Sequence, residues 1–431
     1  MIDIQQTSSL LFDPINIKVT NLERKEEIEF RANLKDERGR LWTSHALFRA
    51  DGNGEVDLAT SSPISGTYAS ADAMGLFWSM QLDSAEKDRE IFLWKGMDPL
   101  KVQLSVKLSN GKMFQKRIDR MVIKNGVKKL SVKEKGIDGN LYLPAGEGPF
   151  PGVIVLAGTA GGYPSDAYVA QFANHGYAAL GLAFCNTPST PSYLANIPLE
   201  YFCKAIQWMQ NSKEVDSSHL FMVGTSIGGT ASLAAASKYK DIKGVISIAG
   251  RGFIPEALET DENSSPQPMF NFAGKPLPFL PCERPPFTKE NYQSNYYLQT
   301  ALGPLFKMKQ EDVDKIAIRV EKIQGPVLLI GTLDDRMAAS AILCEHAYER
   351  LRTNSFPYPY DFLVYKGAGH TMGAAGFPNT PSTVADARFV KEFQAYYFLG
   401  GNPYDIAKAQ VASWAKVFEF LGQYCVKNYE I

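Results

Sequence analysis

The distribution of apolar residues changes about 125 residues into the chain. Before that point apolar and polar residues alternate in short runs, such as 15–19, 27–32 and 102–106, and turn-forming residues such as those at 51–54 separate the runs. Strict alternation is typical of strands with one buried face, and turns at this spacing are typical of a β-sandwich. We therefore predict an all-β sandwich over residues 1–124.

Beyond residue 125 the apolar runs become continuous and alternate with helical patterns. The clearest runs span residues 151–157, 177–183, 220–224, 244–248, 326–330 and 361–365. Near-continuous apolar strands that alternate with helices indicate a mostly parallel sheet covered on both faces. We predict a doubly wound α/β domain over residues 125–431.

Between about residues 251 and 324 the alternation of strands and helices lapses. This segment is rich in proline and aromatic residues, among them Pro276, Phe279 and Tyr292. A segment this long inside a compact domain is commonly functional or disordered, and the aromatic content argues against disorder. We predict an insertion that helps to cover a substrate site.

The apolar run at 220–224 leads into a Gly-x-Ser-x-Gly pattern centred on Ser226, and an Ala-rich segment follows. A serine hydroxyl is a poor nucleophile unless it is held exposed beside a base. A sharp strand-to-helix turn exposes it, and Gly224 and Gly228 permit that turn. The pattern also occurs by chance, but the strand before it and the helix after it favour a nucleophile.

Two further polar residues follow apolar strands. Asp334 comes just after the run at 326–330, and His370 lies in a glycine-flanked loop after the run at 361–365. Chemistry collects at the carboxyl ends of strands in an open parallel sheet, and the order Ser, Asp, His is that of the α/β-hydrolases. We predict a Ser226–Asp334–His370 triad. Asp335 is the alternative acid, or it caps the following helix.

A tetrahedral intermediate on Ser226 requires two hydrogen-bond donors for its oxyanion. We expect the backbone N–H of Ile227, the residue after the nucleophile, to be one donor. The other is expected from the glycine-rich loop 158–162, with Thr159 as the candidate. An ordinary glycine-rich turn is the alternative interpretation of this loop.

Composition excludes several classes of protein. The chain is 431 residues long, with 45% hydrophobic and 21% charged residues and a formal net charge of −1, which does not suit a nucleic-acid-binding protein. Its 5 cysteines are scattered, as in a protein of a reducing compartment. We expect a cytoplasmic protein without a membrane span, since no apolar run is long enough and residues 1–14 lack a targeting pattern. No metal or cofactor is predicted, because no ligand spacing is present.

Several stretches together resemble the acyl-CoA thioesterase / bile acid-CoA:amino acid N-acyltransferase family. They include Phe48-Arg49-Ala50-Asp51, residues 74–80, residues 139–152 and the segment Gly367 to His370. The resemblance implies an immunoglobulin-like N-terminal domain, an α/β-hydrolase domain and acyl-CoA substrates.

Within that family the nucleophile is serine in thioesterases and cysteine in amidating enzymes. Ser226 therefore favours hydrolysis of acyl-CoA by water. The alternatives are a carboxylester hydrolase of broader specificity, an N-acyltransferase, and a binding module that keeps the fold without turnover. Arg251 and Arg336 flank strand ends, but we assign no CoA site to them.

Overall fold

The computed structural model of the chain describes residues 2–4, 7–83, 91–94, 96–257, 265–283, 296–373, 375–378, 383–385 and 396–425. Across these residues, none of the helices combines the length and the apolar character that crossing a bilayer would require.

The N-terminal part of the chain is built from strands. In chain order they are β1 (Ile2–Ile4), β2 (Ser8–Leu10), β3 (Ile17–Val19), β4 (Glu27–Lys35), β5 (Leu41–Arg49), β6 (Val56–Asp57), β7 (Ser65–Gly66), β8 (Gln81–Leu82), β9 (Leu100–Lys107) and β10 (Met113–Met121), with one short helix, α1 (Gly75–Trp78). One sheet has the order β1-β3-β6, and the other has the order β2-β10-β9-β4-β5-β7 with β8 also paired to β5.

These two sheets share one apolar core. Val19 and Val56 from the smaller sheet pack in the same cluster as Phe30 and Leu104 from the larger one. In β4 and β5 every second residue is buried, as the alternation predicts. Each strand therefore presents one apolar face inward and one polar face outward.

A second set of strands follows. It consists of β11 (Lys128–Glu134), β12 (Ile137–Leu143), β13 (Phe150–Leu156), β14 (Ala178–Ala183), β15 (Ile197–Pro198), β16 (Val215–Thr225), β17 (Val245–Ile248), β18 (Phe270–Phe272), β19 (Lys275–Pro276), β20 (Val327–Thr332), β21 (Tyr360–Tyr365), β22 (Thr383–Ala385) and β23 (Tyr396–Phe398). Eight of them form one sheet in the order β11-β12-β14-β13-β16-β17-β20-β21. The pairs β11–β12 and β12–β14 are antiparallel, and the remaining pairs are parallel.

Helices cover both faces of this sheet. They are α2 (Asp166–Asn174), α3 (Leu199–Gln210), α4 (Ile227–Ala236), α5 (Tyr296–Lys307), α6 (Gln310–Ile316), α7 (Ser340–Thr353) and α8 (Pro403–Tyr424), with a 3₁₀ turn at Val320–Lys322. Met222 of β16 packs in a core with residues of α3, α4 and α7, whereas the next residue, Val223, packs with α2 and α8 on the other face. Apolar residues at consecutive positions therefore serve two cores, which confirms the prediction of a doubly covered sheet.

The predicted insertion at about 251–324 is partly structured. It contributes β18, β19, α5 and α6, and β18 pairs with β15 to form a small sheet. Residues 258–264 and 284–295 of the predicted insertion, Tyr292 among them, lie outside the described residues.

The two parts of the molecule meet around the segment that joins β10 to β11. Asn174 at the end of α2 donates from Nδ2 to the Val122 carbonyl at 2.9 Å, and its Oδ1 accepts the Lys124 N–H at 2.9 Å. Phe12 packs on Trp414 of α8 with the ring centroids 5.2 Å apart. These contacts fix the sandwich against the helices that cover the large sheet.

Candidate active site

Ser226 lies in the turn between β16 and α4. Its backbone has φ 57° and ψ −124°, a conformation that residues with a side chain rarely adopt. A Cβ atom on Gly224 would lie 2.1 Å from the Gly228 carbonyl carbon, and one on Gly228 would lie 2.4 Å from the Ala157 carbonyl oxygen. Both glycines are therefore required for the close approach of backbone that the turn needs, as the sequence predicts.

Two hydrogen bonds join Ser226 to a buried carboxylate through a histidine. His370 Nε2 lies 3.0 Å from Ser226 Oγ, and His370 Nδ1 lies 2.9 Å from Asp335 Oδ2. The three residues follow β16, β21 and β20 respectively, at the carboxyl edge of the sheet. This is the geometry in which an imidazole can accept a proton from a hydroxyl while a carboxylate stabilises the resulting cation.

The prediction that Asp334 contacts His370 is wrong, because Asp335 occupies that position. Asp334 Oδ2 instead accepts the N–H of Gly367 at 2.8 Å, and Asp334 lines a separate cavity with Arg336. β20 ends at Thr332, so both aspartates lie in a turn where consecutive side chains point in different directions. Position after a strand could not distinguish them.

Asp335 also anchors the turn that leads into α7. Its Oδ1 accepts the N–H groups of Met337 at 2.9 Å and Ala338 at 2.8 Å, and its Oδ2 accepts that of Ser340 at 3.3 Å. The alternative prediction that Asp335 caps the following helix is wrong, because the N-cap residue of α7 is Ala339 and no side chain caps it. Asp335 binds the N–H groups of the turn before the helix in addition to its contact with His370.

The Asp335 side chain is fully buried, and burial alone would raise the pKa of its carboxyl group. The hydrogen bonds from His370, Ala338 and Ser340 and the electrostatic interaction with His370 outweigh burial, so the pKa lies below its ordinary value. The carboxylate is therefore ionised at neutral pH and accepts from Nδ1 of the imidazole.

The loop that carries His370 is held from several sides. The His370 N–H donates to the Leu399 carbonyl at 2.7 Å, and Thr332 Oγ1 donates to the Gly369 carbonyl at 3.0 Å. Gln410 of α8 donates from Nε2 to the Thr371 carbonyl at 2.7 Å. The C-terminal helix, which our sequence analysis does not identify, therefore helps to position the imidazole.

The two predicted oxyanion donors lie beside Ser226. Ile227 is the first residue of α4, and Thr159 lines the same cavity as Ser226. A Cβ atom on Gly158 would lie 3.3 Å from Ser226 Cβ, so the backbone of the loop 158–162 passes close to the nucleophile. A substrate carbonyl bound at Ser226 would therefore lie between this loop and the start of α4.

Asp138, which is not among the predicted site residues, connects two loops that border the cavity. Its carboxylate accepts hydrogen bonds from Tyr163 Oη at 2.7 Å, from Thr187 Oγ1 at 3.0 Å and from Ser189 Oγ. Tyr163 follows the loop 158–162, and the other two residues lie in the loop after β14. The only signal in the sequence is an aspartate inside an apolar strand, because its partners are 25 to 51 residues away.

Ser226 opens into a cavity of about 720 Å³. Its walls come from the loop 158–162, the loop after β14, the insertion and the segments around Met337 and Met372. Leu194 and Met269 supply apolar surface, while Arg251 and Glu256 are charged residues in the lining. Within the described part of the chain, no group of three or more His, Cys, Asp or Glu side chains is placed to hold a metal ion.

The eight-stranded sheet in this order, the strained serine turn, and the histidine and aspartate in loops after later strands define an α/β-hydrolase. Residues 13–134 match the family described as acyl-CoA thioester hydrolase/BAAT N-terminal region, and residues 197–427 match BAAT / acyl-CoA thioester hydrolase C terminal. The chain therefore belongs to the acyl-CoA thioester hydrolase/BAAT family, as the sequence motifs indicate.

Relatives match over nearly the whole chain. A bile acid-CoA:amino acid N-acyltransferase of Mus musculus is 29% identical and is aligned over 98% of this chain and 97% of its own length. A peroxisomal succinyl-coenzyme A thioesterase of Mus musculus is 27% identical over 96% of this chain and 93% of its own length. A mitochondrial acyl-coenzyme A thioesterase 2 of Homo sapiens is 28% identical over 95% and 80% of the two chains.

Solved structures with detectable similarity are more distant. A puromycin-hydrolyzing peptidase of Mycobacterium tuberculosis is 16% identical, with a TM-score of 0.45 and coverage of 92% of this chain and 54% of its own. A dienelactone hydrolase-like phosphotriesterase from metagenomic libraries is 15% identical, with a TM-score of 0.42 and coverage of 70% and 99%. The fold assignment depends on the strand order and the serine turn of this chain.

Proposed function

We propose that this protein hydrolyses acyl-CoA thioesters to a free acid and CoA through an acyl-enzyme on Ser226. The observation that carries the proposal is the hydrogen-bonded chain from Ser226 Oγ through His370 to Asp335, which opens into a cavity in a member of this family. The proposed catalytic acid is Asp335, in place of Asp334.

In the first step the Ser226 oxygen attacks the thioester carbonyl carbon while His370 Nε2 takes the hydroxyl proton. The tetrahedral intermediate collapses when its carbon–sulfur bond breaks, and the departing sulfur of CoA receives the proton from His370. Asp335 stabilises the transient imidazolium and fixes the tautomer in which Nε2 faces the serine.

In the second step water replaces CoA. His370 Nε2 takes a proton from the water as its oxygen attacks the acyl carbon, and the proton then returns to the Ser226 oxygen as the ester bond breaks. The backbone N–H groups of Ile227 and Thr159 are proposed to bind the oxyanion in both steps, where each such donor contributes about 10²- to 10³-fold in rate.

Hydrolysis is favoured over amide formation by the nucleophile itself. The relatives include an N-acyltransferase, and the family resemblance associates amidation with a cysteine nucleophile. Cys185 and Cys282 line the cavity, but the imidazole contacts the hydroxyl of Ser226. The group activated by His370 is therefore an alcohol, and we expect water to be the acceptor of its acyl group.

The proposal also covers the domain boundaries, the type of the N-terminal domain and the cellular compartment. We propose that residues 1–124 form an immunoglobulin-like domain and that residues 125–431 form the catalytic domain; the two sheets around one core support the first assignment. The cytoplasm is the proposed compartment, supported by 5 cysteines that all lie in the described part of the chain and are not joined in disulfides.

The test is a panel of acyl-CoA substrates of graded chain length, with CoA release as the readout, for wild type and Ser226→Ala. We expect turnover to fall by about 10⁴-fold or more in the variant, because no nucleophile remains for acyl transfer. Undiminished turnover in Ser226→Ala would contradict the proposal.

Parallel assays separate the alternative functions. Hydrolysis of p-nitrophenyl esters without hydrolysis of acyl-CoA would favour a carboxylester hydrolase, since both reactions use the same acyl-enzyme. Acyl-glycine or acyl-taurine formed in the presence of the amino acid would favour an N-acyltransferase. Failure of Ser226 to react with a fluorophosphonate probe would favour a binding module.

A further inference from the structure

Arg251 brings a cation into the cavity that contains Ser226. It lies three residues beyond the end of β17, and it lines the cavity together with Met337 and Cys282. Its backbone N–H donates to Thr230 Oγ1 of α4 at 3.1 Å, so its position is fixed relative to the helix that begins at the nucleophile. The side chain is partly buried.

The guanidinium of Arg251 uses few of its N–H groups in hydrogen bonds. Its Nη2 donates to the Met337 carbonyl at a long 3.4 Å, whereas a guanidinium carries five N–H donors. In the part of the chain that the structure describes, no carboxylate forms an ion pair with it. The nearby Asp335 is engaged with His370 and with the backbone of the following turn.

The partial burial of Arg251 in the cavity wall disfavours its charge. Burial lowers the pKa of Arg251 from its ordinary value, although an arginine remains protonated in proteins. A partly buried charge with no carboxylate in contact is unfavourable, and a carboxylate bound in the bidentate manner relieves that cost. The site therefore favours an anion as part of the bound substrate.

The charged side chains in the cavity lining indicate how many negative charges the bound anion carries. Among the described residues of the lining, Arg251 is the one lysine or arginine, and Glu256 adds a carboxylate to the same wall. Glu256 is buried, and its Oε2 accepts the Cys282 N–H at 2.8 Å. The several charges of the CoA phosphates would need more cations than one, whereas a single carboxylate matches one guanidinium.

We propose that Arg251 binds a carboxylate at the far end of the acyl group, so that the protein prefers acyl-CoA thioesters of dicarboxylic acids to those of simple fatty acids. This inference rests on the proposed function, because it places the acyl group of a thioester in the cavity beside Ser226. The apolar residues Leu194 and Met269 then contact the methylene groups between the thioester and the carboxylate.

The experiment compares matched pairs of substrates: succinyl-CoA with butyryl-CoA, glutaryl-CoA with valeryl-CoA, and adipyl-CoA with hexanoyl-CoA. The readout is the ratio of kcat/KM within each pair. For wild type we expect a ratio above one for at least one pair. Arg251→Met is expected to lower that ratio about 10- to 100-fold, the loss of one charged hydrogen-bonded contact, and Arg251→Lys is expected to restore part of it.

Arg336→Met is the matched control. It removes the same charge from a residue next to Asp335 that lines the other cavity, with Asp334 and Gly367, and it should leave the ratio as in wild type. Pantetheine thioesters of the same acids provide the second control, because they lack the CoA phosphates. Persistence of the Arg251 effect in that series assigns it to the acyl carboxylate.

Three outcomes would overturn the inference while leaving the thioesterase intact: a wild-type ratio at or below one for every pair, an equal loss on both members of each pair in Arg251→Met, or an effect confined to the CoA series. Hydrolysis of longer acyl-CoA substrates without turnover of either member of any pair would also overturn the inference, whereas turnover of no acyl-CoA in the graded panel would contradict the proposed function instead. Thermal unfolding checks that the variants are folded, and if Arg251→Met does not fold, Arg251→Gln and the wild-type ratio decide the matter.

Discussion

Each of the two parts of the molecule contains a fully buried aspartate, and only one of them is placed to do chemistry. Asp36 in the N-terminal sandwich accepts the N–H of Arg38 at 2.9 Å, Arg40 Nε at 2.8 Å and Trp42 Nε1 at 3.1 Å. Asp335 also accepts backbone N–H groups from residues close in sequence, but it has one partner from far away, His370.

Burial raises the pKa of both carboxyl groups, but the hydrogen bonds and electrostatic interactions around each of them lower it by more, so both pKa values lie below the ordinary value. The two aspartates differ in the side chain that donates a hydrogen bond to each of them. Arg40 is permanently charged, so no proton moves when Asp36 accepts from it. His370 can gain a proton, and its other nitrogen faces the hydroxyl of Ser226. A buried carboxylate becomes useful for catalysis when its partner titrates and reaches an exposed nucleophile.

The largest effect is expected from Asp335→Asn. We expect kcat for acyl-CoA hydrolysis to fall by about 10⁴-fold, because an amide cannot stabilise the imidazolium and favours the wrong tautomer of His370. Steady-state release of CoA measures the effect, with circular dichroism as the check on folding. A loss of less than tenfold in a folded variant would contradict the assignment of Asp335.

The next largest effect is expected from Asp36→Ala, on stability alone. The change leaves the Arg40 guanidinium and the Trp42 N–H without their shared acceptor, and we expect the free energy of unfolding to fall by about 3 kcal/mol. Urea unfolding measures it. The kcat of the folded fraction should remain that of wild type, and a selective loss of kcat would remove the distinction between the two aspartates.

Acid should reduce the contribution of both aspartates to the stability of the folded protein. Each carboxyl group has a lower pKa in the folded protein than the ordinary value near 3.8, so the unfolded chain binds more protons. The stability that each group contributes is present above the unfolded value and is lost as the pH falls through the folded one, by up to about 1.4 kcal/mol per pH unit. Unfolding midpoints between pH 5 and 3 should fall less steeply in Asp36→Asn than in wild type; parallel curves would contradict the assignment.

The smallest effect is expected from Asp334→Asn. Its amide oxygen can still accept the Gly367 N–H, so we expect less than about 1 kcal/mol of destabilisation and a kcat within about threefold of wild type. The same CoA-release assay that tests Asp335→Asn measures it. A loss in kcat equal to that of Asp335→Asn would mean that both aspartates are needed at His370.

Much of the architecture follows from local sequence. The alternation in β4 and β5 and the continuous apolar residues of β16 are read from neighbours one or two positions apart. Ser226 and His370 are found in the same way, because glycines and a preceding apolar strand mark both turns. In contrast, α8 is not among the predicted elements, and no local pattern predicts the contact of its Gln410 with the loop of His370.

The sequence by itself determined the two kinds of sheet, the serine turn and the strand ends that carry the proposed catalytic residues. Strand periodicity and glycine-dependent turns are properties of adjacent residues, so local sequence is enough to predict them. Only the tertiary structure decided that Asp335 and not Asp334 reaches His370, that Asp138 joins two loops, and that Arg251 faces the cavity. Side-chain direction within a turn depends on backbone angles, and contacts between residues 35 to 144 positions apart exist only once the sheet has formed.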